Sequence, residues 1–228
     1  MKIARSFLSS CALLVAFAGL ALTAPPAATT SFTGDAYPLD TCAVSGEKLG
    51  KDAVTVVLSD MKDKNLNGTQ MKFCCEKCVA SFKADPSKYM PKVEEQIIKT
   101  AGTYPLGTCL VMTDEAVDAG SKTVVFHNRV YKFCCKKCIA RFEKDPTKFQ
   151  TSYEAQVIEK QKATYKAAKC PVSGEAIKAD SADVVISGRL VRCCCPKCAE
   201  KAKADPKGTL ANIDAQVAGA GNVEKRAN

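Results

Sequence analysis

Three pairs of short apolar segments recur along the chain, and turn-forming residues lie between the two members of each pair. β-branched and aromatic side chains dominate these segments, which is typical of strands. The sequence therefore predicts three β-hairpins: 54–58 with the segment after Asn67 and Gly68, 124–126 with 130–133 around His127 and Asn128, and 184–186 with 190–192 around Ser187 and Gly188. Asn-Gly is the strongest two-residue hairpin signal of the three.

A segment with helical spacing follows each predicted hairpin. In the first, 76–84, Val79 and Phe82 lie three residues apart and share one face. Ile139 and Phe142 repeat this pair, whereas the third helix carries only Ala199 and Ala202 and predicts a thinner core.

Each helix is followed by an aspartate, a proline and a further helical pattern. Three aspartates are predicted N-caps with proline in the first turn, namely Asp85, Asp145 and Asp205. The closing helices around 93–97, 153–157 and 213–217 are expected to pack on their own unit or to bridge to the next. The last ten residues, 219–228, are predicted to be a loose tail.

Cysteine-rich stretches at 72–78, 132–138 and 192–198 give the repeat a fixed period. Cys74, Cys134 and Cys194 follow one another at steps of 60 residues, and a constant step is typical of tandem modules. The predicted fold is α+β, with a signal peptide and the start of a linker at 1–28 and modules at 37–100, 104–163 and 165–220. Units of this size need a metal, a disulfide or a neighbour for stability.

A lone cysteine precedes each hairpin, five residues after a tyrosine. In the first and third modules this cysteine begins a Cys-x-x-Ser-Gly turn, in which the glycine can adopt a positive φ and backbone amides fold back toward the sulfur. Cys74 and Cys78 lie across the junction of strand and helix, where helix N-terminal amides favour a thiolate. Cys42 reaches the same point if the hairpin folds back onto the turn.

Three soft thiolates, with a fourth from the neighbouring cysteine or from outside the protein, form a site for Zn²⁺ or Cu(I). We expect about one ion per module. The candidate ligands are Cys42, Cys74, Cys75 and Cys78, then Cys109, Cys134, Cys135 and Cys138, then Cys170, Cys194, Cys195 and Cys198.

The combined motifs resemble a known family. Cys-Pro-Val-Ser-Gly, the hairpin, Phe-Cys-Cys-x-x-Cys, an aromatic residue four positions on and Asp-Pro-x-Lys-Tyr/Phe are similar to the YHS and TRASH domains, over most of 37–220 in three copies. This resemblance implies small treble-clef-like modules that bind copper and other heavy metals. The ligands it implies are Cys42, Cys74 and Cys78 and their counterparts.

Three positions depart from related zinc knuckles, which carry a second cysteine three residues after the first. Here those positions are Ser45, Met112 and Ser173, so Cys75 or an exogenous ligand must complete the first shell. Met112 is a possible thioether ligand, although core packing is the simpler expectation. Cys193 stands where the first two modules have a phenylalanine. It could be a core residue, a spare thiol or an alternative metal ligand.

Composition narrows the functional classes. The chain has 14 cysteines; apart from Cys11 in the leader, an odd number remains, which excludes a complete set of intramolecular disulfides. The net charge of +9 arises from lysines scattered over predicted helices, and there is no tryptophan. Without a basic patch interleaved with aromatic residues, we expect no nucleic-acid binding.

The first 28 residues are typical of a Sec-type signal peptide. A positive N-terminus precedes twelve apolar or small residues at 11–22, a length that fits a signal core and is too short for a membrane span. We therefore expect a periplasmic or secreted protein, with lipidation of Cys11 disfavoured and 24–33 as a disordered linker. The expected partners are metal ions and another metal-handling protein.

Other functions stay open. A disulfide framework is possible in an oxidising compartment, and disulfides or metal could merely staple an adaptor. Cys75-x-x-Cys78 and its counterparts have dithiol spacing, but the modules are short for a thioredoxin-like fold. His127 is the single histidine and is predicted at a hairpin tip, so no hydrolytic site can repeat. The favoured hypothesis is an exported, non-enzymatic protein that binds, buffers or transfers copper or zinc.

Overall fold

A computed structural model describes residues 31–224 of the chain, with side chains as far as Gly219. The predicted signal peptide at 1–28 lies outside these residues. The elements are β1 (Val54–Val57), β2 (Gln70–Phe73), α1 (Glu76–Ala84), α2 (Met90–Thr100), β3 (Lys122–Phe126), β4 (Arg129–Phe133), α3 (Lys136–Lys144), α4 (Pro146–Lys162), β5 (Ala182–Ile186), β6 (Arg189–Cys193), α5 (Pro196–Ala204) and α6 (Pro206–Glu224). Two 3₁₀ turns, Lys64–Leu66 and Pro86–Lys88, complete the described part. The α+β class is confirmed.

The strands form three separate two-stranded antiparallel sheets, β1–β2, β3–β4 and β5–β6. Their registers correspond: Val54 pairs with Phe73, Lys122 with Phe133 and Ala182 with Cys193. Each second strand therefore ends one residue before a cysteine pair, and each is followed at once by a helix. This order positions all three cysteine-rich corners alike.

The second and third hairpins close with the predicted two-residue turns. His127 and Asn128 have φ values of 48° and 60°, and Ser187 and Gly188 have 48° and 74°. Two consecutive positive φ angles match the right-handed twist of the strands that they join. The prediction of His127 as a turn residue is confirmed.

The first hairpin has its strands where the sequence predicts them, with residues 58–69 between them. Asn67 has a φ of −64°, so Asn67 and Gly68 do not form the expected two-residue turn. They end a longer connection, 58–69, in which the Asn67 side chain accepts a hydrogen bond of 2.9 Å from the Met61 amide. Met61 is buried, so the connection is anchored in the core.

Three apolar clusters support the three hairpins. The first contains Phe73 and Phe82, whose ring centroids are 5.4 Å apart, and the second groups Tyr131, Phe142 and Tyr153. The third has no buried aromatic side chain among its described members and relies on small residues such as Ala199 and Ala202. The prediction of a thinner third core is confirmed.

Two of the three aspartates predicted as helix N-caps make the capping hydrogen bond. Asp145 accepts a hydrogen bond of 3.1 Å from the Lys148 amide, and Asp205 one of 3.0 Å from the Gly208 amide. Asp85 makes no such cap; it instead accepts from the Ser87 hydroxyl. A 3₁₀ turn, not an α-helix, follows Asp85, which places its amides differently.

The termini of the described part are more ordered than the sequence predicted. The Thr33 amide, at the end of the predicted linker, donates to the Gly68 carbonyl at 2.9 Å. The tail predicted from 219 onward is helical as far as Glu224, because α6 continues through Gly219. Within 31–224, no helix has both the length and the apolar character needed to cross a membrane.

One buried arginine joins elements that are distant in sequence. Arg129 donates to the Asp35 carboxylate at 3.0 Å and to the Glu154 carboxylate at 2.9 Å. It also donates to the Val185 carbonyl in the third hairpin at 3.2 Å. Helix α4 adds a second bridge, since Gln161 accepts from the Leu190 amide at 2.8 Å. Closing helix α4 thus contacts the next hairpin, one of the two arrangements expected.

Candidate metal centre

The turn that holds Cys42 is tied directly to the strand that leads to Cys74. The Gly46 amide donates to the Cys42 carbonyl at 2.9 Å, and Gly46 has a φ of 73°, as predicted for the Cys-x-x-Ser-Gly turn. The Ala43 amide donates to the Lys72 carbonyl on β2 at 3.1 Å. This contact brings the upstream cysteine beside the end of the hairpin.

The corner between strand and helix supplies the next two sulfurs. Cys75 is the N-cap of α1 with an extended backbone, and the Cys78 amide donates to the Cys75 carbonyl at 3.1 Å in the first turn. Cys74 and Cys78 thereby face each other, with Sγ atoms 3.5 Å apart. The corresponding separation is 3.6 Å for Cys134 and Cys138 and 3.6 Å for Cys194 and Cys198.

In each group, three Sγ atoms lie within 4.8 Å of one another. A metal–sulfur distance of about 2.3 Å places tetrahedral thiolate ligands about 3.8 Å apart, which fits these separations after small side-chain rotations. Each group can therefore hold one metal ion. The three groups, called the cysteine trios below, are Cys42, Cys74 and Cys78; Cys109, Cys134 and Cys138; and Cys170, Cys194 and Cys198.

Every trio has a buried side and an accessible side. The upstream cysteine is buried in all three cases, while the first cysteine of each corner, such as Cys74, is partly exposed. An ion held by a trio would thus be anchored from the protein interior and approachable from solvent.

The second cysteine of each corner lies beside its trio, outside the triplet of mutually close sulfurs. The Cys75 Sγ atom is 3.8 Å from that of Cys74, and the Cys135 Sγ atom is 3.8 Å from that of Cys138. Cys75 and Cys135 are exposed, and Cys195 is partly buried. The structure thus brings nine of the twelve candidate ligands together in threes and leaves the other three adjacent.

Serine hydroxyls near the sulfurs were missed as functional groups by the sequence reasoning. Ser45 Oγ lies 3.7 Å from Cys74 Sγ, and Ser173 Oγ lies 3.3 Å from Cys194 Sγ. Both serines occupy the third position after an upstream cysteine, which was interpreted only as a missing ligand. Their fixed spacing was the available signal.

Hydrogen bonds favour the thiolate form of the upstream cysteines. Burial alone would raise the pKa of Cys42, but the Ser45 hydroxyl and nearby backbone amides outweigh burial and lower this pKa to about 6. Ser173 and its neighbouring amides do the same for Cys170, whose pKa is also about 6. Around Cys109 the shift is again downward, with amides of Cys134 and Met112 opposing burial.

The pKa values of the two cysteines at the start of α1, Cys75 and Cys78, shift in opposite directions. Burial, followed by the neighbouring thiols, raises the pKa of Cys78. The Cys78 amide at the start of α1 lowers the pKa of Cys75. The metal-free site therefore favours a thiolate at Cys42 and a thiol at Cys78, so binding of an ion by both sulfurs would release a proton.

Cys193 and Met112 lie outside the trios and differ in burial. Cys193 is fully buried in the third apolar cluster, at the strand position of Phe73 and Phe133. The structure thus places it in the core, and its thiol interacts with that of Cys170 in the third trio. Met112 is 37% exposed, so the expectation of core packing was wrong, and its amide lies 3.5 Å from Cys109 Sγ in the second trio.

We predict that Ser45→Ala raises the pKa of Cys42, because the hydroxyl that favours the thiolate is lost. In metal-free protein, thiolate absorbance near pH 7 should then fall by a fraction of one thiolate per chain. Ultraviolet pH titration of both proteins measures this difference. Ser121→Ala, which removes a hydroxyl bonded to Asp118, is the control. Superimposable titrations of S45A and the parent would contradict the assigned role.

All thirteen cysteines in the described part are free, with sulfur separations far above a covalent S–S bond. The sites are therefore available as thiols or thiolates. Comparisons with protein-family models, with curated proteins and with solved structures find no match for this chain.

Proposed function

We propose that this protein binds a soft metal ion, Zn²⁺ or Cu(I), at each cysteine trio and serves to buffer or transfer it. One observation carries the proposal: in each trio, sulfurs from a turn, a strand end and a helix start meet within 4.8 Å. Structural thiols without such a role have no need to converge in threes at three equivalent corners. Thiolates are the ligands that these soft ions prefer.

The resemblance to YHS and TRASH domains belongs to the same proposal. The order of turn, hairpin and helix around each trio supports three tandem treble-clef-like modules at 37–100, 104–163 and 165–220. The signal-like segment at 1–28 adds the proposal that the protein is exported to the periplasm or secreted. In an oxidising compartment, a bound metal would protect the trios from disulfide formation.

Transfer is proposed because each trio has an open side. A thiolate of a partner can approach past the exposed Cys75 and bind the ion, after which one protein sulfur dissociates. Such a ligand exchange involves no change of oxidation state and needs no catalytic residue, so we propose a non-enzymatic function. Incomplete protein shells are those in which an external ligand can enter.

The test is metal analysis of the full-length protein purified anaerobically from its native compartment. We expect up to three Zn²⁺ or Cu(I) ions per chain, one for each trio, that pass to a competing thiol chelator within minutes. A protein in which all cysteines are bridged as disulfides would contradict metal binding. Three ions that resist exchange would contradict transfer and favour a metal-stapled adaptor.

A further inference from the structure

The second trio differs from the others at one position beside the metal. The third residue after the upstream cysteine is serine in the first and third groups, where its hydroxyl lies near Cys74 or Cys194. In the second group this residue is Met112. A thioether thus replaces a hydroxyl at the same corner.

The backbone holds Met112 against the second trio. Its amide donates to Cys109 Sγ at 3.5 Å, and its carbonyl accepts from the Glu115 amide at 3.0 Å. The loop also contains one more residue than its counterparts, since the Cys109 amide donates to Glu115, whereas the Cys42 amide donates to Glu47. This loop is therefore built differently at the point where the methionine enters.

The side chain of Met112 is not used for apolar packing. Met61 and Met71 are 4% and 0% exposed, whereas Met112 is 37% exposed. Its Sδ atom lies 3.9 Å from the guanidinium of Arg141, one turn beyond Cys138 on α3. The sulfur thus lies beside a cation that can offset the negative charge of the thiolates.

We infer that Met112 is a fourth, thioether ligand that makes the second site selective for Cu(I). The inference rests on the proposed metal binding by the trios. Three flexible torsions allow the sulfur to swing from Arg141 to an ion held by the trio. A thioether is a soft ligand that favours Cu(I), whereas Zn²⁺ is held by thiolate, imidazole or carboxylate. The hydroxyls of Ser45 and Ser173 give the other two sites no comparable preference.

Methionine-methyl NMR tests the contact directly. In the reduced full-length protein, labelled at its methionine methyl groups, Cu(I) is expected to shift the Met112 resonance strongly. Zn²⁺ should shift it much less. Met112→Leu assigns the signal by removing it, and Met90→Leu, on α2, is the control that should leave the shifted signal in place.

Affinity measurements complete the test. Met112→Ser should weaken Cu(I) binding to one of the three sites by about tenfold and Zn²⁺ binding by less than about threefold. The converse Ser173→Met should strengthen Cu(I) binding at the third site. Three bound Cu(I) ions with an unmoved Met112 methyl and unchanged affinity would overturn this inference and leave the proposed function intact. An equal methyl shift with Zn²⁺ would overturn the selectivity, and absence of any metal binding would overturn both.

Discussion

Cys74→Ser is expected to reduce the metal content of the protein from three soft ions per chain to two. The substitution leaves Cys42 and Cys78 as the only members of the first trio, and a serine hydroxyl is a poor ligand for Cu(I) or Zn²⁺. Cys134→Ser and Cys194→Ser should each remove one further ion, so the triple variant should bind none tightly. Anaerobic native mass spectrometry of protein loaded with excess metal measures the count.

Cys193→Ala is the matched control for these variants. It also removes one buried thiol, but one that belongs to none of the three trios, so the count should stay at three at a stability cost of about 1 kcal/mol. Loss of an ion in C193A, or retention of three equally tight ions in C74S, would contradict the assignment of the trios.

Arg129→Met is expected to lower the free energy of unfolding by about 3–5 kcal/mol. Arg129 is 1% exposed, and its partner Asp35 is 7% exposed. Removal of the guanidinium leaves a buried carboxylate without its cation and breaks the link to the Val185 carbonyl. Urea denaturation in the presence of a chelator and a reductant measures the loss without a contribution from bound metal.

The third hairpin offers a matched control for this prediction. Arg189 begins β6 as Arg129 begins β4, but its ion pair with Asp214 is exposed. Arg189→Met should therefore cost no more than about 1 kcal/mol. The double variant Arg129→Met with Asp35→Leu should recover much of the loss, because no unpaired buried charge is left; the Glu154 carboxylate is 41% exposed. Equal costs for R129M and R189M would contradict the account of the buried arginine.

The hairpins and helices could be predicted because the residues that specify each of them lie within or beside it in the sequence. Turn residues such as Ser187 and Gly188 mark a hairpin, and the spacing of Val79 and Phe82 marks a helix face. The position of Cys74 between such a strand and helix then implied where its sulfur would lie. The convergence of three sulfurs could then be predicted by assuming that the upstream turn folds back onto the hairpin. The hydrogen bond between Ala43 and Lys72 holds the turn in that position.

Other features depend on contacts that no local pattern records. Asp35 and Arg129 are 94 residues apart, so nothing near either residue predicts their pairing. The Asn67 side chain accepts from the Met61 amide within the first hairpin connection, and Asn67 and Gly68 do not form the expected two-residue turn. Hydrophobicity alone would assign Met112 to the core, but its side chain is 37% exposed, in a loop with one residue more than its counterparts.

Metal-edge X-ray absorption of protein loaded with one ion per trio tests the central claim most directly. The account predicts a first shell with at least three sulfur scatterers per ion at about 2.3 Å, as expected for Cys42, Cys74 and Cys78 and their counterparts. A first shell dominated by nitrogen or oxygen, with one sulfur or none per ion, would contradict it.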